Sequence, residues 1–277
     1  MKEKKDMTYY EIFSACLPAL PTGEEAFERL AEFRDARVIE HRENGKTVAF
    51  AAVAGNALRL LCVHPAWQRR GIGTALLRQA EDAARAGGEK EIWVGGFHSH
   101  LLIGAPESAR GFFERRGYEP AGGCDEMTGD LNALLPASRL SCPPDVHFGW
   151  YDGDTETLQK AVAAVEEDWV QYFSGPENVY CAVKDGQIAS FCFAEGKRTC
   201  ILSTGINNVG IPGCVGTVPA FRRQGIGLKM VAKACEELKT QGCDTAYIHY
   251  TGVAHWYERL GFRTFLHLAF LRKPIGG

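Results

Sequence analysis

Residues 63–73 read VHPAWQRRGIG, and residues 217–227 read TVPAFRRQGIG. The two stretches share a proline, an aromatic residue, at least one arginine and a closing Gly-Ile-Gly, all in the same order. A second stretch, FFERRGY at residues 112–118, returns as WYERLGF at residues 256–262. Two motifs that recur in one order and at similar spacing predict a duplicated domain.

The two copies are expected to meet at a proline-rich segment. Residues 134–144 read LLPASRLSCPP, and three prolines in so short a stretch interrupt any regular element. We therefore predict domains at residues 1–135 and 145–277, joined by this linker. The length of 277 residues agrees, because single domains average about 150 residues.

Each copy predicts strands and helices in the same order, which indicates an α/β sheet in each half. In the first copy, strands over 37–41, 47–54 and 58–63 precede the Gly-Ile-Gly loop, and a helix, a strand over 91–94 and a helix over 108–116 follow it. In the second copy, a helix over 155–172 and strands over 179–184, 187–195 and 213–218 precede the loop; a helix, a strand over 245–250, a short helix to Leu260 and a strand over 266–272 follow it.

A Gly-x-Gly turn between a strand and a helix is suited to hold phosphate. The first turn of a helix offers free N–H groups and the positive end of the helix dipole, and glycine lets an anion approach the backbone closely. Arg222 and Arg223 stand just before the second Gly-x-Gly, where guanidinium groups can bind further phosphates. The alternative is a tight turn that needs glycine only for its geometry, and the duplication favours the phosphate site.

The expected ligand is not a dinucleotide. The dinucleotide-binding motif requires a third glycine. Leu76 and Met230 occupy the position of that glycine in the first and second copies. Gly45-Lys46-Thr47 mimics the end of a nucleotide-binding P-loop, but Glu40 replaces the first glycine of that motif. We expect a hairpin turn there instead.

Composition argues against several classes of protein. The net charge is −3 and the sequence pI is near 6.3, so neither nucleic acid nor a membrane surface is an expected partner. The sequence shows no signal peptide and no apolar run of membrane-spanning length. Ten cysteines without a Cys-x-x-Cys pair predict buried reduced thiols and a cytoplasmic protein. His98 and His100 are expected in a solvated loop, so no metal site is predicted.

The duplicated motif resembles the (Arg/Gln)-x-x-Gly-x-(Gly/Ala) signature of the GNAT superfamily of acyl-CoA-dependent N-acyltransferases, and residues 256–262 resemble that family's second signature. The resemblance implies two tandem GNAT-like domains of the α/β (α+β) class, each a mixed, mostly antiparallel twisted sheet flanked by helices. It also implies that the loop holds the pyrophosphate of coenzyme A and that the strand before it pairs with pantetheine. The coenzyme-binding residues so implied are Leu61, Cys62, Val63, Gln68, Arg69, Arg70, Gly71, Ile72 and Gly73 in the first half and Val215, Gly216, Thr217, Arg222, Arg223, Gln224, Gly225, Ile226 and Gly227 in the second.

The resemblance further implies an acid for the departing thiolate. In the family, a tyrosine of the second signature commonly serves as this acid. Tyr257 occupies that position in the second half, whereas the first half has Phe113. This difference predicts a catalytic C-terminal domain and a degenerate N-terminal one, unless Tyr257 only packs its ring. Glu195 and His249 are candidate general bases; each can instead be structural or solvated, with an ordered water relaying the proton.

The implied reaction is transfer of an acetyl or other acyl group from acetyl-CoA to a primary amine of a small molecule, by a monomer or homodimer. One alternative is a non-catalytic acyl-CoA-binding sensor or scaffold, which needs the phosphate loop but neither Tyr257 nor an acceptor cleft. Another is an enzyme that acts on a protein N-terminus or lysine, which requires an open groove.

Overall fold

A computed structural model of the chain describes residues 6–20, 22–30, 33–95, 102–196 and 208–276. The chain forms two compact units, residues 1–125 with 266–277 and residues 126–265. The boundaries predicted from the repeat place the end of the chain with the second copy. In the structure, residues 266–277 belong to the first unit, because the final strand pairs there.

The first unit has two helices before its first strand, which the sequence did not predict, and otherwise follows the predicted order. Its elements are α1 (Tyr9–Cys16), α2 (Glu24–Leu30), β1 (Arg37–Glu43), β2 (Lys46–Ala54), β3 (Ala57–Val63), α3 (Ile72–Ala86), β4 (Glu91–Val94), β5 (Ala105–Pro106), α4 (Glu107–Glu114) and β6 (Glu119–Asp130), of which β6 continues into the second unit. The predicted hairpin between β1 and β2 is confirmed. Asn44 and Gly45 adopt φ values of 51° and 78°, the left-handed pair that a two-residue hairpin turn requires.

The second unit repeats the order of strands and helices. Its elements are β7 (Val146–Trp150), α5 (Thr155–Ala163), β8 (Val179–Lys184), β9 (Gln187–Gly196), β10 (Val209–Thr217), α6 (Ile226–Thr240), β11 (Thr245–Thr251), α7 (Ala254–Glu258) and the start of β12 (Arg263–Pro274). The single helix predicted over 155–172 is wrong. Glu166 has extended backbone, with φ −156° and ψ 110°, and separates α5 from a 3₁₀ helix at Glu167–Tyr172.

Each unit is built on one mostly antiparallel sheet. The strands follow the order β1-β2-β3-β4-β12 in the first unit and β11-β10-β9-β8-β7 in the second. Among the described pairings within these two sets, only β3 with β4 and β10 with β11 run parallel. The predicted fold class, a mixed sheet flanked by helices in each half, is confirmed.

The sheet of the first unit carries α3 and α4 on one face. Leu76 and Leu77 of α3 are 1% exposed and pack in the same core as Ile92 and Phe113. Burial of each such side chain contributes about 1.5–3 kcal/mol. The final strand is fixed to α3, because Lys273 Nζ lies 3.0 Å from a carboxylate oxygen of the buried Glu81.

The predicted linker is an ordered part of the second unit. A 3₁₀ helix at Ala137–Arg139 begins where the backbone N–H of Ala137 donates to Glu236 Oε1 on α6, at 2.9 Å. Leu140 and Cys142 pack against the core of the second unit. The prolines interrupt regular structure as predicted, but the segment remains attached to one unit.

Candidate acyl-donor site

The two Gly-x-Gly loops have the same backbone conformation. Gly71 and Gly225 cap the N-termini of α3 and α6 with φ values of 82° and 79°, and no side chain caps either helix. Arg69 and Arg223, two residues earlier, also share a left-handed φ, of 60° and 64°. In both loops, therefore, no side chain caps the first N–H groups of the 15-residue helix that follows, and such groups can bind an anion that reaches them.

The outer side chains of the motif hold the loop in shape. Gln68 Nε2 donates to the carbonyl oxygen of Val63 at 2.9 Å, and Arg222 Nε donates to that of Thr217 at the same distance. Arg222 was expected to bind phosphate, but its Nε is thus committed to the backbone. The third motif residues also donate within their loops, Arg70 to the carbonyl oxygen of Ala66 at 3.1 Å and Gln224 to that of Ala220 at 3.4 Å.

The strand before each loop carries a bulge. In β3 the extra residue is Arg59, because Leu58 and Leu60 pair with adjacent residues of β2. In β10 the bulge lies between Gly213 and Gly216, and Cys214 within it has φ 46°. A bulge interrupts the ladder and leaves backbone groups available to a ligand.

A cavity of about 810 Å³, here called the first-half cleft, lies beside the first loop. It is lined by β3 from Leu58 to Val63, by loop residues 68, 69, 71, 73 and 74, by Val94, and by α4 with the residues that flank it. Seven of the nine first-half residues predicted to bind coenzyme therefore line it. Of the other two, Ile72 is buried in the core and Arg70 is tied to its own loop.

Arginines give this cleft a positive side. Arg69, Arg115 and Arg116 line it, and the Arg116 guanidinium lies 3.8 Å from the ring centre of Phe112. The guanidinium also donates to Thr74 Oγ1 at 2.6 Å and 3.1 Å and to the carbonyl oxygen of Phe112 at 2.6 Å. Burial lowers the pKa of Arg116, and the neighbouring positive charges of Arg115 and Arg78 lower it further. Repulsion among these charges is relieved when an anion binds.

The second loop is covered where the first is open. A Cβ placed on Gly71 meets no atom within 4 Å, whereas one on Gly225 collides with the carbonyl oxygen of Ser141. The covering residue belongs to the proline-rich segment that packs on the second unit. The backbone of Ser141 thus lies against Gly225 at the start of α6, and no such neighbour lies at Gly71.

The polar lining of the first cleft has apolar counterparts in the second half. Matching the repeats position by position sets Leu228 against Thr74, Ala232 against Arg78 and Leu260 against Arg116. The three second-half residues are buried in the core of their unit. Position-by-position comparison of the repeats, rather than the motifs alone, was the signal that could have identified Thr74, Arg78 and Arg116.

The proposed acid, Tyr257, lies inside the core of the second unit. Its side chain is 6% exposed and packs on Trp256 and Phe262, with ring centres 4.9 and 5.9 Å away. Burial raises the pKa of its hydroxyl, and nearby Cys192 raises it further. Phe113, at the matching place of the first unit, is 4% exposed and lines the first-half cleft.

The two candidate bases differ in their surroundings. Glu195 accepts a hydrogen bond from Asn178 at 3.2 Å and lies opposite Ile211, about 20 Å along β10 from the loop. His249 Nδ1 lies 2.9 Å from a carboxylate oxygen of Glu126, whose side chain is almost fully buried. The structure therefore places Glu195 away from the loop, and it gives His249 an orienting carboxylate that no sequence pattern revealed.

Within the described ranges, no three His, Cys, Asp or Glu side chains are grouped so that they could share a metal ion. His98 and His100 lie outside those ranges. No helix in the same part of the chain is long and apolar enough to cross a membrane.

Comparison with known proteins identifies the same motifs. A family described as "Acetyltransferase (GNAT) domain" matches residues 34–120 and 175–264. No curated protein sequence matches the chain. Similar solved structures include a GCN5-related glucosamine N-acetyltransferase region of a fungal multi-domain GH3 β-N-acetylglucosaminidase (20% identity, TM-score 0.75), of which this chain spans 36% while 94% of this chain is covered.

Two further structures cover nearly the whole chain. A GCN5-related N-acetyltransferase from Sphaerobacter thermophilus has 20% identity and a TM-score of 0.72, over 96% of this chain and 91% of its own. A tandem GNAT protein from the clavulanic acid biosynthesis pathway has 15% identity and a TM-score of 0.62, over 99% and 98%. At these identities the likeness shows the fold. Since the family match covers more than half of the sequence, once in each repeat, the chain belongs to the GNAT family of acetyltransferases and carries its domain in tandem.

Proposed function

We propose that the chain transfers an acetyl group from acetyl-CoA to a primary amine of a small molecule, and that the first-half cleft binds the acetyl-CoA. The observation that carries this proposal is the cleft itself, about 810 Å³ in volume. It joins an open helix terminus, a set of arginines and the edge of a bulged strand. Acetyl-CoA presents phosphates, a chain of amides and a thioester, which suit these three features.

The phosphate end is assigned to the start of α3. The free N–H groups after Gly71 suit a pyrophosphate, and the open space around this glycine lets the anion approach the backbone. Arg69 and Arg115 line the same cavity and can donate charge-assisted hydrogen bonds. Arg116 holds the first turn of α3 through Thr74 and adds positive charge.

The amide and thioester ends are assigned to β3. In the described residues, β3 pairs with β4 at Ala57 and Leu58 and runs on past them, so the backbone from Leu60 to Val63 can pair with pantetheine amides. A backbone N–H at the bulge near Arg59 can polarise the thioester carbonyl and stabilise the oxyanion that forms when the amine attacks.

Placing acetyl-CoA in the first half assigns catalysis to the first unit, whereas Tyr257 had suggested that the second unit is catalytic. The reason is steric and electrostatic: Gly225 is covered by Ser141, and the counterparts of the first-half polar residues are core side chains. The second unit is then assigned a supporting role, and Tyr257 a packing role. Catalysis by the second unit stays a prediction of the sequence, and the titration below distinguishes the two assignments.

The test is release of coenzyme A thiol by the wild-type chain in the presence of a panel of primary amines. Glucosamine belongs in the panel because a region of similar fold is described as a glucosamine N-acetyltransferase. We expect amine-dependent release that requires roughly 30-fold more acetyl-CoA in Gly71→Asp than in Gly71→Asn. Acetyl-CoA binding without release for any amine would favour the acyl-CoA-binding module, and absence of binding would refute the proposal.

A further inference from the structure

The first-half cleft carries more positive charge than a pyrophosphate alone requires. Its described lining includes no aspartate and no glutamate, and it includes four arginines, Arg59, Arg69, Arg115 and Arg116. Arg59 lies at the bulge of β3 and is paired through both terminal nitrogens with Asp35, at 2.8 and 3.1 Å. The other three line the cleft at its phosphate end. The net charge of the whole chain is −3, so this excess of positive charge is a local feature.

Arg78 extends this positive charge along α3. It follows Thr74 by one helical turn, so the two side chains lie on the same face of α3, about 6 Å apart along the helix axis. Arg116 donates to Thr74 Oγ1 at 2.6 Å, which holds its guanidinium against that face. Arg115 adjoins Arg116 in sequence, and the charges of Arg115 and Arg78 both act on Arg116. Three guanidinium groups therefore lie together where the end of α4 meets the first two turns of α3.

The two outer arginines of this group are not neutralised by the protein. In the part of the chain that the structure describes, no carboxylate lies within ion-pair distance of Arg78 or Arg115, and both residues are exposed to solvent. Arg110 of the same helix α4 differs, because it is paired with Glu107 at 3.3 Å and with Glu114 at 2.8 Å. Arginines that lie together without a carboxylate repel one another, and an anion brought by a ligand relieves the repulsion.

Coenzyme A carries a second anionic group beside its pyrophosphate. The pyrophosphate has about two negative charges, and the 3′-phosphate on the ribose adds about 1.5 to 2 more at neutral pH. The N–H groups after Gly71, together with Arg69 and Arg116, are sufficient for the pyrophosphate. Because a single ribose joins the two anionic groups, a pyrophosphate at the start of α3 brings the 3′-phosphate close to Arg78 and Arg115.

We propose that Arg78 and Arg115 bind the 3′-phosphate of coenzyme A, so that the first-half cleft selects donors that carry this group. The inference rests on the proposed binding of acetyl-CoA in that cleft. Ala232 occupies the position of Arg78 in the second repeat, so the pair is a feature of the first half. A thioester on the phosphopantetheine arm of a carrier protein lacks the 3′-phosphate. The donor class is therefore the free coenzyme A thioester.

Titration calorimetry of the wild-type chain with coenzyme A and with 3′-dephospho-coenzyme A tests this inference, because the two ligands differ only in the 3′-phosphate. We expect coenzyme A to bind roughly tenfold more tightly, which is the gain expected from charge-assisted hydrogen bonds at a solvent-exposed site. The preference should become smaller at high salt, because salt screens exposed charges.

Matched variants assign the preference to particular residues. The double variant with Arg78→Gln and Arg115→Gln should still bind 3′-dephospho-coenzyme A, and its preference for coenzyme A should fall to about twofold or less. Arg110→Gln removes a neighbouring arginine that already has two carboxylate partners, and it should keep the wild-type preference. Both proteins should melt close to the wild-type temperature, since the Arg78 and Arg115 side chains are exposed and the Arg110 ion pairs lie at the surface.

Two results would overturn the inference and leave the proposed function standing. One is equal affinity of the wild-type chain for the two ligands. The other is an undiminished preference for coenzyme A in the double variant, which would show that other residues bind the 3′-phosphate. Absence of binding of either ligand to the wild-type chain would refute the inference and the proposed function together.

Discussion

The charge introduced by Gly71→Asp should weaken coenzyme A binding at the first loop. Gly71 caps α3 with φ 82°, and the space around its Cβ position is open, so the side chain fits. A left-handed φ costs a non-glycine residue about 1–2 kcal/mol, and an Asp or Asn cap returns about 1 kcal/mol to the helix. The fold should therefore tolerate both substitutions, with small and similar losses of stability.

The magnitude follows from the charge that Asp adds and Asn does not. Two unit charges 4 Å apart at an effective dielectric constant of 20 repel by about 4 kcal/mol. Solvent at this exposed helix terminus reduces the repulsion to about half of that value. The remaining repulsion of about 2 kcal/mol corresponds to roughly a 30-fold loss of affinity. We therefore expect Gly71→Asp to bind coenzyme A roughly 30-fold more weakly than Gly71→Asn, with a smaller difference at high salt.

Calorimetric titration of coenzyme A into both variants measures the difference directly. The matched pair Gly225→Asn and Gly225→Asp serves as the control in the other half. Both should lower the melting temperature, because any Cβ there collides with Ser141, and neither should change the affinity of the first loop. Equal dissociation constants for the two Gly71 variants, or a selective loss of binding in Gly225→Asp, would refute the assignment of the donor to the first half.

Two further predictions address the rest of the site. Tyr257→Phe should leave turnover within about twofold of wild type, since its ring packs in the core; a fall of 10²–10⁴-fold, typical of a lost general acid, would restore the second half as the catalytic one. Arg116→Lys should weaken coenzyme A binding by about tenfold in titration, because lysine cannot bond Thr74 and stack on Phe112 together; unchanged affinity would contradict this.

The duplicated loops were predictable because their conformation depends on local chemistry. Left-handed backbone at Gly71 and Gly225 favours glycine, and a strand, an anion-binding turn and an amphipathic helix follow one another within a short stretch. The hairpin at Asn44 and Gly45 was predictable for the same reason. Such features are decided by neighbours in sequence, so the motif is sufficient to identify them.

The proposed choice of the first half for the acyl donor could not be predicted from the motifs. It depends on where the carbonyl of Ser141 lies relative to Gly225, and only the tertiary packing of the proline-rich segment determines that. Tyr257 matched the family pattern, but its burial depends on the core around it. The hydrogen bond from Cys16 to the carbonyl oxygen of Val63 joins a helix that the periodicity did not reveal to a strand far along the chain.

The pairing of β4 with β12 has a consequence for biosynthesis. Val94 lies opposite Leu271, so β4 lacks this partner strand until residue 271 has been synthesised. At ribosomal rates of 5–20 residues per second, this edge of β4 remains without its partner strand for roughly 9 to 35 s. An unpaired edge strand invites association with other chains, so this nascent polypeptide has a prolonged need for chaperone protection. A chain that stopped before residue 263 would lack β12 altogether and leave this edge of β4 exposed.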